Sequence, residues 1–263
     1  MIAAEIMTYN THGLPWSRNT ANDIIGWLKT VKPTIVCLQE IFVDSTRSLY
    51  CEQLTRYGYA VATPNDTSVT WLSSGLLTAV LESEFRIVSS CFCPYMYYHN
   101  VESFANKGFF SLTLRDTLGS HITIINTHTQ SNTIVSWWFG DDIITTIRKQ
   151  QFAQILQFVK GSSYPVLITG DLNCEVSPHP YIRFLRVANC NQTKKHTFTE
   201  TGEDLDHLAW IPLQYADPGC GYCDIERNGP LLESCKVIPV PWSDHEPVLW
   251  KVRIPKPKQR IKE

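Results

Sequence analysis

Apolar runs in this chain repeatedly stop at polar residues of a restricted chemical kind. The segments are TYNTHG with Asn10, VCLQE with Glu40, NTHTQ with His128, TGDLN with Asp171 and Asn173, and WSDHEP with Asp244 and His245. Runs such as Ile122–Thr123–Ile124–Ile125 and Val166–Leu167–Ile168 are continuous and largely β-branched, which suits strands covered on both faces. A chain of this kind has to build covered sheets and carry its polar strand ends to a common rim. The ordered series points to one acidic, histidine-flanked pocket that binds a hard cation and attacks a phosphate ester.

The pattern predicts strands over 3–9, 34–39, 74–82, 85–93, 108–115, 120–127, 165–169, 206–211 and 246–253. Helices are predicted between them. At 20–31, Thr20 and Asp23 resemble a capping box and Pro33 stops the helix. At 141–160, Ile144, Ile147, Gln151, Ile155 and Val159 share a face. At 178–188, Ser177 can cap and Pro178 suits the first helical position. Strands outnumber helices and are punctuated irregularly, which favours a layered α/β sandwich of mixed sheets over a regularly alternating parallel fold. Asn10, Glu40, His128 and Asp171 fall at strand ends, whereas Asp206 and the Asp244–His245 pair fall at strand starts. In a mixed sheet, starts and ends share an edge.

A chain of 263 residues can bury a large core without a disulfide or metal staple. No linker or repeat divides it, so we expect a single domain over 1–254 and a basic, proline-broken tail over 255–263. The net charge of −2 argues weakly against a tight duplex-DNA binder. No apolar run is long enough to suggest a transmembrane helix, and MIAAEIMTYN reads as a first strand, not a signal peptide. Nine irregularly spaced cysteines then read as free thiols in a reducing compartment, which implies a cytoplasmic protein, peripheral on membranes at most. A monomer is expected.

Magnesium takes hard oxygens and usually one or two protein carboxylates. Glu40 is the leading ligand, with Asp171, Asn173, Asn10 and Asp244 as further oxygen donors. There is no HExxH and no zinc-like histidine spacing, so Mg2+, or Mn2+, is preferred to zinc. No phosphate-cradling glycine loop of the nucleotide-binding kinds is present. His245 is the candidate general base, oriented by Asp206. His128 would face the phosphate from the other side, with Asn173 as a neutral donor. His12, His99, His179 and His196 read as ordinary hydrogen-bonded surface groups.

These residues bear a family likeness. LQE at 38–40, GDLN at 170–173 and SDHEP at 243–247 occur in the order found in the endonuclease/exonuclease/phosphatase superfamily, and LDHLAW at 205–210 is similar to its strand with a His-orienting Asp. Within it, YNTHGLP at 9–15, LQEIF at 38–42, SGLLTAV at 74–80, NKGFFSLTL at 106–114, NTHTQ at 126–130 and IRKQQFAQILQFV at 147–159 most resemble the neutral sphingomyelinases. The resemblance implies the DNase I-like fold, a four-layered α/β sandwich of two mixed β-sheets flanked by helices. It implies Mg2+-dependent cleavage of sphingomyelin, or of a related choline lysophospholipid, to ceramide and phosphocholine for the former. By position it places metal binding on Asn10, Glu40 and Asp244, phosphate and water positioning on Asp171 and Asn173, and acid–base work on His128 and His245. The aromatic membrane hairpin of those relatives has no counterpart in PGCGYCDIERNGP at 218–230.

Other features stay open. Trp137–Trp138–Phe139 suits a buried helix-entry anchor or a membrane-dipping cluster at the pocket mouth; in the second case Trp137 and Trp138 contact substrate. Lys107 could meet a phosphate oxygen or be solvated. Cys220 and Cys223 have CxxC spacing without a second pair, and loop thiols are the better reading. The expected partner is a phospholipid at a membrane surface. The rival is a nucleic-acid phosphodiesterase on the same scaffold, acting at abasic sites or on tyrosyl-DNA. A catalytically dead binding module is disfavoured because every expected polar position is filled.

Overall fold

Alternation along β1, Ile2–Asn10, sets the architecture: Ile2, Ala4 and Ile6 face one core while Met7 and Tyr9 face another. A strand buried on both sides requires a layer on each face. We describe a computed structural model of the chain over residues 1–65, 71–132, 141–160, 162–174, 186–187, 197, 205–211 and 230–254.

Twelve strands form two mixed six-stranded sheets among the described residues. The first has the order β11-β12-β1-β2-β4-β3, from Leu231–Val237, Val248–Ile254, β1, Ile35–Gln39, Leu77–Leu81 and Tyr59–Ala62. The second has the order β5-β6-β7-β8-β10-β9, from Phe85–Pro94, Gly108–Asp116, His121–His128, Val166–Asp171, Asp206–Ile211 and Arg186–Val187. The main apolar core, including Ile6, Ile35, Leu112, Ile124, Leu167 and Trp250, lies between the sheets. Helices α1, Ala21–Val31, and α2, Asp44–Arg56, cover the outer face of the first sheet through Ile24, Leu28, Tyr50 and Leu54. Helix α3, Asp141–Val159, covers the second through Phe152, Ile155 and Val159. The result is the four-layered α/β sandwich of the DNase I-like fold.

A polar bridge ties the sheets together just behind the rim. Gln39 on β2 donates through Nε2 to Asn126 Oδ1 on β7 at 2.8 Å, and Asn126 Nδ2 donates to the carbonyls of Leu38 and Leu77 at 3.1 and 3.0 Å. Both side chains are fully buried and amply hydrogen-bonded, so the cost of burying them is offset.

Several local expectations need correction. Thr20 makes no capping bond; Asn19 Oδ1 accepts the Ala21 N–H instead, at 3.0 Å. The helix expected over 178–188 lies largely outside the described residues, and at Arg186–Val187 the chain is a strand paired to β10. The sequence pattern does not predict helix α2 or strands β3 and β11. Cys37, Cys51, Cys91, Cys93 and Cys174 are free, but Cys235 on β11 is disulfide-bonded, contrary to the expectation of free thiols throughout. Cys220, Cys223, Trp137, Trp138 and the tail at 255–263 lie outside the described residues.

Candidate active site

Three neighbouring strands of the second sheet deliver three candidate side chains in one row. His128 at the end of β7 lies opposite Asp171 at the end of β8, and Asp171 lies opposite Asp206 at the start of β10. The pairing is parallel then antiparallel, so two strand ends and one strand start meet at one edge. The first sheet supplies the other groups in the same way. Asn10 ends β1, Glu40 follows β2, and Asp244–His245 precede the antiparallel β12.

The side chains converge. Asn10 Nδ2 donates to Glu40 Oε1 and to Asp171 Oδ2, both at 3.0 Å, linking the two sheets. His245 Nδ1 lies 2.7 Å from Asp206 Oδ2, and its Nε2 lies 3.6 Å from Asp171 Oδ2. His128 Nε2 lies 3.5 Å from the same Asp171 oxygen and 3.9 Å from Glu40 Oε1. Asn173 stands just beyond Asp171, its N–H donating to Asp171 Oδ1 at 2.9 Å and its side chain donating to the Thr129 carbonyl. Asp244 stands nearer the surface, 3.0 Å from the ring of His12. Thus His12, read from the sequence as an ordinary surface histidine, sits on the rim.

Backbone strain collects here as well. Glu40, Asn173 and His12 hold φ of 61°, 49° and 50°, the left-handed region that side chains other than glycine enter at a cost. Glu40 is accommodated because Gly75 packs against it: a Cβ at Gly75 would lie 3.2 Å from the Glu40 Cα and 2.7 Å from Phe42.

The two imidazoles are driven apart in basicity. At His245 burial pulls the pKa down, but the carboxylates of Asp206 and Asp171 outweigh it and raise it to about 10. At His128 burial and the Lys107 ammonium both lower it, against the pull of Asp171 and Glu40. His245 is thus the more basic of the two imidazoles and His128 the less basic. Burial pushes the Asp206 carboxyl upward, against the pull of its imidazolium partner.

Lys107 is buried here, not solvated. Its Nζ lies 3.0 Å from His128 Nε2, donates to the Thr129 carbonyl at 3.2 Å and is ion-paired with Glu102. Glu102, also held by Ser131, had no sequence signal of its own: it lies in a short 3-10 helix, Asn100–Phe104, with no motif around it.

A cation would find hard oxygens in this pocket. Glu40 Oε2 is buried without a hydrogen-bond partner among the described residues, and Asp171 shares Asn10 with Glu40. An orphaned buried carboxylate oxygen is a costly feature that a bound cation would relieve. Asn10 currently turns its amide nitrogen to both carboxylates, while its oxygen accepts the His12 N–H. Asp171, Asp206 and His245 also lie close, with ligand atoms within 4.8 Å of one another. That trio is a poorer magnesium cradle, because Asp206 and His245 face each other and magnesium favours oxygen over imidazole.

The geometry agrees with known folds. Sphingomyelinase C from Streptomyces griseocarneus superposes with a TM-score of 0.68 at 18% identity, covering 95% of this chain and 99% of that one. A Staphylococcus aureus beta toxin mutant with bound magnesium ions gives 0.70 at 16%, covering 96% and 100%. A humanized D. rerio TDP2 gives 0.71 at 14%, covering 95% and 99%. No curated protein sequence matches the chain. The sequence does match the Endonuclease/Exonuclease/phosphatase family over residues 7–245, nearly the whole chain, and the protein belongs to that family.

Proposed function

We propose that the protein is a magnesium-dependent phosphodiesterase that hydrolyses sphingomyelin, or a related choline lysophospholipid, releasing phosphocholine. The observation that carries the chemistry is the Asp206–His245 pair aimed at Asp171, facing the Asn10–Glu40 pair across the two sheets. Choline-lipid specificity is supported by the sphingomyelinase-like middle motifs and by the absence of a net positive charge on the chain.

Glu40 and Asp171 would hold the cation, with Asn10 and Asp244 beside them. Bound there, magnesium would supply a Lewis acid for a phosphoryl oxygen. His245 accepts the proton of the attacking water at Nε2, while Asp206 fixes the tautomer at Nδ1 and balances the imidazolium that forms. Lys107 gives the phosphoryl oxygens a fixed positive charge. Neutral His128 accepts from Lys107 and keeps that charge in place, and Asn173 positions Asp171 through its backbone N–H. The protein works as a monomer, peripherally on a membrane. The Cys235 disulfide favours an oxidising setting over the reducing cytoplasm expected from the cysteine count.

The test offers purified protein sphingomyelin, choline lysophospholipid, abasic DNA and 5′-tyrosyl DNA, with magnesium or chelator. We expect metal-dependent release of phosphocholine and a loss of about 10²–10⁴-fold in kcat for His245→Ala. Turnover of DNA alone would transfer the assignment to the nucleic-acid reading, which the likeness to TDP2 keeps in view. An active His245→Ala enzyme would end the proposed mechanism.

A further inference from the structure

The segments that lead into this pocket carry large aromatic side chains that the fold does not bury. Trp71 is 89% exposed and Phe104 52% exposed, and their rings meet edge to face at 6.4 Å. Their segments are joined by a bridge between Leu72 and Ala105. Tyr97 and Tyr98 are exposed on the loop that leads to Phe104, and Trp16 is 77% exposed on the loop that follows β1. An exposed Leu is ordinary, but a paired Trp and Phe held in water beside a reactive pocket is not.

We propose that Trp71 and Phe104 form an interfacial wedge that seats the protein on the surface of a zwitterionic choline-phospholipid bilayer, an inference that rests on the lipid phosphodiesterase reading.

Two observations select this occupant. The first is continuity with the site. Phe104 precedes Lys107 by three residues, a reach of at most about 10 Å, and Trp71 precedes Gly75, which packs on Glu40, by four, about 14 Å. Interfacial aromatics sink roughly 5–10 Å into the headgroup region. A wedge seated to that depth brings the lipid phosphate towards Lys107 and Glu40 without pulling a lipid far from its leaflet. The second is charge. Residues 71–77 contain no charged side chain, and residues 95–106 contain only Glu102, which is buried against Lys107. Trp and Tyr suit the boundary between headgroup and acyl chain, whereas a nucleic acid or an anionic leaflet calls for exposed Lys and Arg.

The test compares the full chain with its Trp71→Ala/Phe104→Ala variant in sedimentation with phosphatidylcholine vesicles, at about 0.15 M and about 1 M salt. Turnover of the soluble diester bis(p-nitrophenyl) phosphate with magnesium is measured in parallel. We expect the wild type to sediment with vesicles at both salt concentrations and the double variant to lose about tenfold or more in partitioning. Turnover of the soluble ester should be unchanged, and Trp71→Phe should retain binding. Equal partitioning of variant and wild type, no partitioning by the wild type, or binding released by salt would each overturn the wedge. Single-stranded DNA binding weakened by the double variant, with vesicle binding intact, would also overturn it. Partitioning without ester turnover would reject the phosphodiesterase reading and leave the docking surface standing; turnover without partitioning would do the reverse.

Discussion

Lys107 keeps an ammonium group almost out of contact with water, and Glu102 makes that tolerable. At Glu102 burial alone would raise the pKa, but the attraction of Lys107 and His128 and hydrogen bonds from Lys107 and Ser131 lower it below 4.5. A depressed carboxyl stabilises the fold above its unfolded value, and that contribution is lost as the pH falls through the folded value. Glu102→Gln should therefore cost about 3–5 kcal/mol near neutral pH, because it strands a buried cation. The gap between variant and wild type in urea unfolding should shrink as the pH falls below 4.5. A gap independent of pH would mean that the carboxylate charge is not what holds Lys107. This pair also marks where sequence reading stops. Residues at strand ends stood out because a polar side chain interrupted an apolar run. Glu102 acts from a short 3-10 helix and His12 from a loop, segments where polar residues are the rule, and only the folded chain brings them to the rim. Trp71 and Phe104 were equally silent, since nothing in the sequence says which aromatic rings are left outside the core.

Elements place these side chains through close backbone contacts. Gly170 in β8 holds φ at 142°, and a Cβ there would stand 1.9 Å from the Thr127 carbonyl oxygen on the neighbouring strand. Gly170→Ala must push β8 away from β7 and move Asp171 with it. We expect a loss of about 3 kcal/mol, roughly 10 °C in Tm, together with loss of activity. Gly119 also has a positive φ, of 84°, but no atom lies within 4 Å of its Cβ position. Gly119→Ala should cost only about 1 kcal/mol in the same thermal melts and leave activity intact. Similar losses for both would trace the effect to backbone strain alone, not to the strand contact. The strands with continuous apolar runs were legible because both of their faces are covered. Helix α2 was not, because it buries only Tyr50 and Leu54 in an otherwise polar stretch. Edge strands β3 and β11 were missed for a related reason: β11 is largely exposed, so its sequence lacks a strong alternation. Helix α3 was legible through its face, and Ile144, Ile147, Gln151, Ile155 and Val159 are all buried.

At the scale of the whole molecule, the pocket is a meeting of two sheets, each contributing carboxylates that repel. Magnesium should raise the Tm of the wild type, by about 2.7 kcal/mol of stabilisation at a hundred times its Kd. Glu40→Gln should abolish that increment in differential scanning fluorimetry, a readout that does not depend on substrate. An unchanged magnesium response in Glu40→Gln would place the ion elsewhere. The layered architecture was legible because irregularly punctuated, doubly covered strands have few other ways to pack. Among the described residues no helix is long and apolar enough to cross a membrane. Finally, Gln39 and Asn126 hold each other from opposite sheets, one residue from Glu40 and two from His128. A chain that has formed only one sheet holds only half of the constellation. Hydrolytic competence should thus arise at the last stage of refolding, so that immature or partly opened molecules are harmless to the esters around them.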